Sequence, residues 1–200
     1  PALQARYAAR TVELRGVLAR TAQAFASPRP QLIVLLGASG AELGEHPDDP
    51  ELLHDSRLRV PFLIGLRGAD GLPWGRHDTL VQSADLGPTL LDLLDLRPRA
   101  ERDADGIVRD GVSLEPLTHG WVPAPVHEQV ISVGPGAASI RDRDWKLMVA
   151  VDAPWVVRSD GVRLHALAED PQERTNLAEG RALGPVGEAL LAQLRARLDR

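Results

Sequence analysis

Residues 31–46, Gln-Leu-Ile-Val-Leu-Leu-Gly-Ala-Ser-Gly-Ala-Glu-Leu-Gly-Glu-His, restrict the fold more than any other stretch of the chain. The apolar run over 32–36 is too short for a helix and is bounded by Gln31 and Gly37, which predicts a strand buried on both faces of a mostly parallel-type sheet. A loop of small residues follows. In an open α/β sheet the loops leaving the carboxyl ends of the strands carry ligands and catalytic groups, so residues 37–46 are the expected site.

The rest of the chain supplies elements to set around that strand. Leu3, Tyr7, Thr11, Leu14, Leu18, Ala22 and Phe25 recur at intervals of three and four, which predicts an amphipathic helix over 2–25 with one buried face. Ser27-Pro28-Arg29-Pro30 ends it. Residues 47–50 read as a surface turn and 60–66 as a second strand with Pro61 near its start, followed by a Gly- and Pro-punctuated loop to Trp74. Over 83–96 the stripe Leu86, Leu90, Leu93 and Leu94 predicts a helix, with Asp85 or Ser83 as cap and Pro88 in the first turns. Residues 97–110 are a charged connection, and Pro123-Ala124-Pro125 marks a lobe boundary.

From 126 onward the period changes. Short β-prone runs over 129–133, 138–141, 145–151, 155–158 and 162–167, separated by turn signals such as Ser159-Asp160-Gly161, predict a small antiparallel sheet. Val186, Leu190, Leu191, Leu194 and Leu198 predict a closing helix packed on it. The expected architecture is α/β: a mostly parallel-type sheet flanked by helices in a lobe over 1–125, then a small C-terminal α+β lobe over 126–200.

Composition removes several functions. With 200 residues and 44% apolar content the chain can build one ample core, and the absence of any apolar run near 18 residues argues against a membrane span. Residues 1–25 show no secretory leader, and the compartment stays open. A net charge of −5 gives no electrostatic case for nucleic acid or an anionic membrane. The chain has no cysteine, hence no disulfide, thiolate metal site or thiol nucleophile.

Several strings, taken in order, resemble a known family. Gly40-x-Glu42-Leu43-Gly44-Glu45-His46 with Leu58-Arg59-Val60-Pro61, Asp85-Leu86-Gly87-Pro88-Thr89-Leu90-Leu91, and Asp110-Gly111-Val112-Ser113-Leu114-Glu115-Pro116-Leu117 come first. Arg141-x-x-Asp144-Trp145-Lys146-Leu147 and the stretch from Leu164 to Ala178, with Glu169-Asp170-Pro171-Gln172-Glu173, follow. Together they are similar to the C-terminal portion of the sulfatases of the alkaline phosphatase superfamily, which implies a partial alkaline-phosphatase-like fold. The resemblance also implies a divalent cation held by an Asp-His or Asp-Asn pair after the Leu-rich strand. This chain has Ala38-Ser39 there, a methyl and a neutral hydroxyl where a hard cation such as calcium or magnesium needs carboxylates. The family's Cys/Ser-x-Pro-x-Arg nucleophile motif is absent from the sequence, and the basic residue expected shortly before the string over 53–57 is also missing.

Glu42, His46, His54 and Asp55, with Glu45, are the remaining acid–base or metal candidates. Their spacing across a loop fixes no geometry, so solvated loop groups and turn formers are the expected reading. Ser39 fails the Gly-x-Ser-x-Gly pattern because Ala41 occupies the last position. His77, His119 and His127 are expected at the surface, and His165 half-buried, where the family has Tyr. Arg141, Arg143 and Lys146 are expected on a solvated face, and Trp74, Trp121, Trp145 and Trp155 as core or lobe-interface anchors.

The expected function is that of a sulfatase-like domain without catalytic activity as it stands, a pseudoenzyme with a structural or binding role, no cofactor, and no ligand named by its residues. The alternative is a part of an active sulfatase or phosphoric-ester hydrolase completed by an N-terminal segment or partner chain, with calcium or magnesium held there.

Overall fold

The structure, a computed structural model, describes residues 2–25, 27–46, 53–68, 72, 75–96, 111–121, 125–152 and 156–199. The turn expected over 47–50, the connection over 97–110, Pro123 and Ala124 of the lobe boundary, and Trp74 and Trp155 lie outside the described residues.

Helix α1, Ala2–Ala24, forms where the three- and four-residue periodicity places it. Its apolar face is not buried: Leu3, Tyr7, Leu14, Leu18 and Phe25 are all exposed. Periodicity marks a face suited to burial without saying which surface buries it. Among the described residues, no helix is long and apolar enough to cross a membrane.

Strands β1, Gln31–Leu36, and β2, Phe62–Arg67, occupy the predicted positions but pair antiparallel, from Gln31 opposite Arg67 to Leu36 opposite Phe62. Every ladder among the described residues is antiparallel, which overturns the mostly parallel-type sheet. A continuous apolar run makes a strand suited to burial on both faces, as in parallel sheets, but does not by itself set strand direction. Direction is set by the connection. The Gly37 N–H donates to the Pro61 carbonyl at 2.9 Å and the Gly40 N–H to the Arg57 carbonyl at 2.7 Å, so the two chains stay side by side beyond the strand ends. A parallel pair would need a crossover over one face instead. Gly40 makes this approach possible, because a Cβ there would lie 2.0 Å from the Ser56 carbonyl oxygen. Burial on both faces is not met either, since Ile33 is 43% and Leu63 55% exposed.

A short helix α2, Asp55–Leu58, precedes β2, and a 3-10 turn, Ser83–Asp85, leads into α3, Leu86–Leu93. Asp85 does not cap α3 with its side chain. Its buried carboxylate accepts the N–H groups of Gln82 and Val112, each at 2.8 Å, and faces His127 Nε2 at 2.9 Å. Thr89 accepts the Leu114 N–H at 2.8 Å. The Asp-x-x-Pro-Thr string is thus a clamp on residues 112–114, which enter α4, Glu115–Thr118. His127 is drawn off the surface, where it was expected, by the same carboxylate.

The expected C-terminal sheet is an antiparallel meander of β3, Val130–Gly134, β4, Ala137–Arg141, β5, Trp145–Asp152, and β6, Val156–Ala166, in sequence order. The turn expected at 159–161 is instead strand. Gly161 lies opposite an irregularity between Val149 and Val151, and a Cβ there would come 2.3 Å from the Ala150 Cβ. The glycine serves close approach between strands, not a turn. Alternation sends Ala138, Ile140, Leu147, Val149, Val151 and Leu164 to one face, where Leu190 and Leu194 of α5, Gly184–Leu198, complete the core. Each of the buried Val, Leu and Ile side chains among these contributes about 1.5–3 kcal/mol. Trp145 packs against this core, whereas Trp121, expected as an anchor, is exposed.

The opposite face positions the site. Arg141 pairs with Lys146 and Lys146 with His165, so three basic side chains form one cross-strand row.

Candidate functional site

The row Arg141, Lys146, His165 is covered by the first turn of α2, the loop after β1 and the turn ending at Glu173. Lys146 Nζ donates to Asp55 Oδ1 at 2.7 Å and to Glu173 Oε1 at 2.6 Å. The guanidinium of Arg141 takes the other oxygen of Asp55. Glu173 Oε2 faces His54 Nδ1 at 3.0 Å and accepts the Asp55 N–H at 2.9 Å. Lys146, expected on a solvated face, is fully buried, because two carboxylates compensate the loss of water around its ammonium.

A second layer lies against the first. The His46 ring stacks on the His54 ring with centroids 3.6 Å apart and planes 3° from parallel. Its Nδ1 faces Glu42 Oε1 at 3.1 Å and its Nε2 the Gln172 carbonyl at 2.8 Å. Glu42 also accepts the His46 N–H at 3.0 Å and the Ser56 hydroxyl. Glu173 sits at φ 55°, in the left-handed region that a side chain disfavours, and its hydrogen bonds hold it there.

Burial raises the Glu173 carboxyl, but the hydrogen bonds from His54 and Lys146 and the Lys146 charge outweigh it and hold the group at about 2. Glu42 is likewise raised by burial and brought down to about 2 by hydrogen bonds from Ser56 and His46. Both carboxylates are ionised at neutral pH. For His165 burial dominates and lowers its value against the pull of Glu173, so the ring is neutral. Among the described residues, both ring nitrogens of His165, and Nε2 of His54, have no hydrogen-bond partner.

The family resemblance implies a divalent cation, and the residues present do not fit one. Ala38 and Ser39 lie at the carboxyl end of β1 as expected, both exposed, and offer no carboxylate. Among the described residues one group of possible ligands forms, His46, His54 and Glu173, with ligand atoms within 4.8 Å of one another. An imidazole nitrogen binds a metal in the plane of its ring, and two rings stacked 3.6 Å apart and 3° from parallel direct those lone pairs along separate planes. The Lys146 ammonium at 2.6 Å from Glu173 adds a positive charge where an ion would need none. The cluster is incomplete as a metal site.

The structure therefore joins four candidates into one network: Glu42, His46, His54 and Asp55. Only Glu45, which accepts the Leu43 N–H, keeps the solvated-loop character expected of them all. His54 and His165 are deeply buried, while His77 and His119 are exposed as expected. Glu173 escaped sequence reasoning. Its signal was the Asp170-Pro171-Gln172-Glu173 string, read as a family motif without a role.

Neither a protein-family model nor a curated protein matches the chain. Solved structures do. A putative sulfatase from Bacteroides thetaiotaomicron VPI-5482 is 25% identical with a TM-score of 0.60, over 84% of this chain and 35% of that one. A 2-O GAG sulfatase is 25% identical with a TM-score of 0.59, over the same shares of the two chains. The phosphonate monoester hydrolase of Agrobacterium radiobacter, at 22% identity and a TM-score of 0.55, shares the fold. The chain spans about a third of the length of these proteins, 35% in each case.

Proposed function

This chain has fold-level homology to sulfatases of the alkaline phosphatase superfamily, and we propose that it is a sulfatase-like domain without catalytic activity as it stands, with a structural or binding role. The observation that carries this reading is the mutual satisfaction of the candidate groups. Asp55 and Glu173 neutralise Lys146, Arg141 neutralises Asp55 again, and Glu42 is held by His46 and Ser56. Cleaving a sulfuric ester takes a nucleophile and a positive field on the ester oxygens. Here the buried cation is already engaged by carboxylates, and the sequence has no cysteine. The network instead fastens the loop after β1 to the sheet of β3–β6, across the lobe division at 125/126 that belongs to this reading.

The test is turnover of an aryl sulfate and an aryl phosphate with calcium or magnesium present. The expected result is no rate above buffer. Metal-dependent turnover with a stoichiometric ion contradicts it.

A second reading keeps the chain as part of an active sulfatase or phosphoric-ester hydrolase, completed by an N-terminal segment or a partner chain. It is favoured by the 35% coverage of the relatives and by the uncovered apolar faces of α1 and β1–β2. Turnover by the intact precursor, absent from the 200-residue chain, supports it.

A further inference from the structure

His165 ends the cross-strand row that begins at Arg141 and Lys146, and it is as deeply buried as they are engaged. Among the described residues neither of its ring nitrogens has a partner, and the facing ring of His54, edge-on with centroids 6.1 Å apart, leaves Nε2 unpartnered as well. The groups packed around it are matched in charge without it. On β5 Lys146 is held by Asp55 of α2 and by Glu173 of the turn after β6, and on β4 Arg141 takes the second oxygen of Asp55. Behind His54 the ring of His46 is held by Glu42 of the loop after β1. On β6 itself Arg163 lies two residues back on the same sheet face. A positive charge on His165 would be attracted by Glu173 and Asp170 and repelled by Lys146 and His54. Two carboxylates, Asp55 and Glu173, already stand against two cations, Arg141 and Lys146. A proton on His165 therefore adds a third cation and two N–H donors in a place that supplies no acceptor for them among the described residues.

Such a ring has to reach water, and the two sides of it resist unequally. Beneath it the ladder of β5 and β6 runs through Trp145–Ala166, Lys146–His165 and Leu147–Leu164 and is backed by the α5 core. Above it the cover is fastened by a few polar contacts that end at His46, His54 and Asp55. We propose that His165 is an acid-sensitive latch: its protonation in mildly acidic solution parts the cover, α2 and the loop over 37–46, from the β3–β6 sheet and leaves the sheet and its α5 core closed. The sign follows from linkage. In the open form the ring is hydrated and titrates near the ordinary 6.5, whereas burial lowers its value in the closed form, so the closed form binds the proton more weakly. Opening is then favoured by up to about tenfold for each pH unit below 6.5, until the closed form also takes up the proton. The carboxylates of Glu173 and Glu42 remain ionised through this window, because their losses lie below 4.5. The inference stands on the geometry of the network and not on the lack of catalysis, so its failure and that of the proposed function are read separately.

The test is hydrogen exchange of the chain followed by NMR between about pH 7 and pH 5, corrected for the intrinsic pH dependence of exchange, with the His165 ring titrated in the same samples. Two sets of protons cross the joint and report on the cover: the Asp55 N–H bonded to Glu173, and the Lys146 ammonium bonded to Asp55 and Glu173. The amides of β4 and β5 report on the sheet. Over this range protection at the joint is expected to fall by about tenfold or more while that of β4 and β5 stays within about twofold, and the His165 ring is expected to gain its proton as the joint opens. His165→Phe and His165→Leu, which remove the proton site with side chains of different shape, are each expected to hold protection at the joint constant with pH. Constant protection in the parent chain overturns the proposal. So does loss of joint and sheet protection together, or a loss that persists in both variants and so belongs to His46 or His54.

Discussion

The ammonium of Lys146 lies 2.6 Å from the carboxylate of Glu173, and neither side chain reaches solvent. Burying two charges is costly, and the pair survives because Asp55 and His54 complete its hydrogen bonds. Removing one partner strands the other. Lys146→Met is expected to destabilise the protein by about 3–5 kcal/mol, with Lys146→Met/Glu173→Leu recovering part of the loss. Urea midpoints of the two variants check this.

Acid should weaken the fold in two stages. Glu173 and Glu42 stand at about 2 against an ordinary 4.5, so their contribution is complete above 4.5 and is lost as pH falls toward 2, where the unfolded chain has already taken up protons. For Glu173 the loss is on the order of 3 kcal/mol. His165, lowered by burial from 6.5, also binds its proton more readily when unfolded, so a shallower decline begins below 6.5. Stability measured from pH 8 to 3 should show both slopes, and Glu173→Gln should flatten the lower one.

His165→Phe is expected to leave stability unchanged or raise it, against the usual sign for a buried position. The neutral ring has two unpartnered nitrogens, and replacing an unsatisfied polar group with an apolar one of similar shape removes its desolvation cost, about 1–3 kcal/mol. The same variant should remove the decline that begins below pH 6.5. A clear drop in melting temperature contradicts the assignment.

Gly40→Ala tests the joint between the two strand exits. Its Cβ would meet the Ser56 carbonyl oxygen at 2.0 Å, so the loop must move off α2 and loosen the Ser56–Glu42 contact. A loss of about 1–3 kcal/mol is expected, with faster exchange at the amide of position 40 than in the parent.

Ala38→Asp with Ser39→His restores the residue types that the family resemblance places after the strand. Because the remaining carboxylates are engaged by Lys146, Arg141 and His46, no calcium or magnesium binding is expected by calorimetry.

The elements governed by local period were legible. Alternation over 137–151 and the leucines of α5 gave the C-terminal sheet, its closing helix and the buried face between them. Direction of pairing between β1 and β2 was not legible, since apolar continuity is the same for either. The site was half legible. The resemblance drew attention to Glu42, His46 and Asp55, but nothing local links Asp55 to Lys146, 91 residues on, or Lys146 to Glu173, 27 residues on. Their burial comes from strand register, which brings Lys146 between Arg141 and His165. Periodicity in α1 located the helix, but the buried face expected of it is not found, because a spacing of three and four does not supply a surface to pack against.

The claim beneath all of this is that the candidate groups bind one another in place of a metal. Titrating calcium, magnesium and zinc into the purified chain, with melting temperature and bound ion per protein as readouts, addresses it most directly. The account predicts no saturable site and a melting temperature that moves by no more than about 1 °C. A stoichiometric ion that stabilises the fold and is lost in His54→Ala or Glu173→Gln contradicts it.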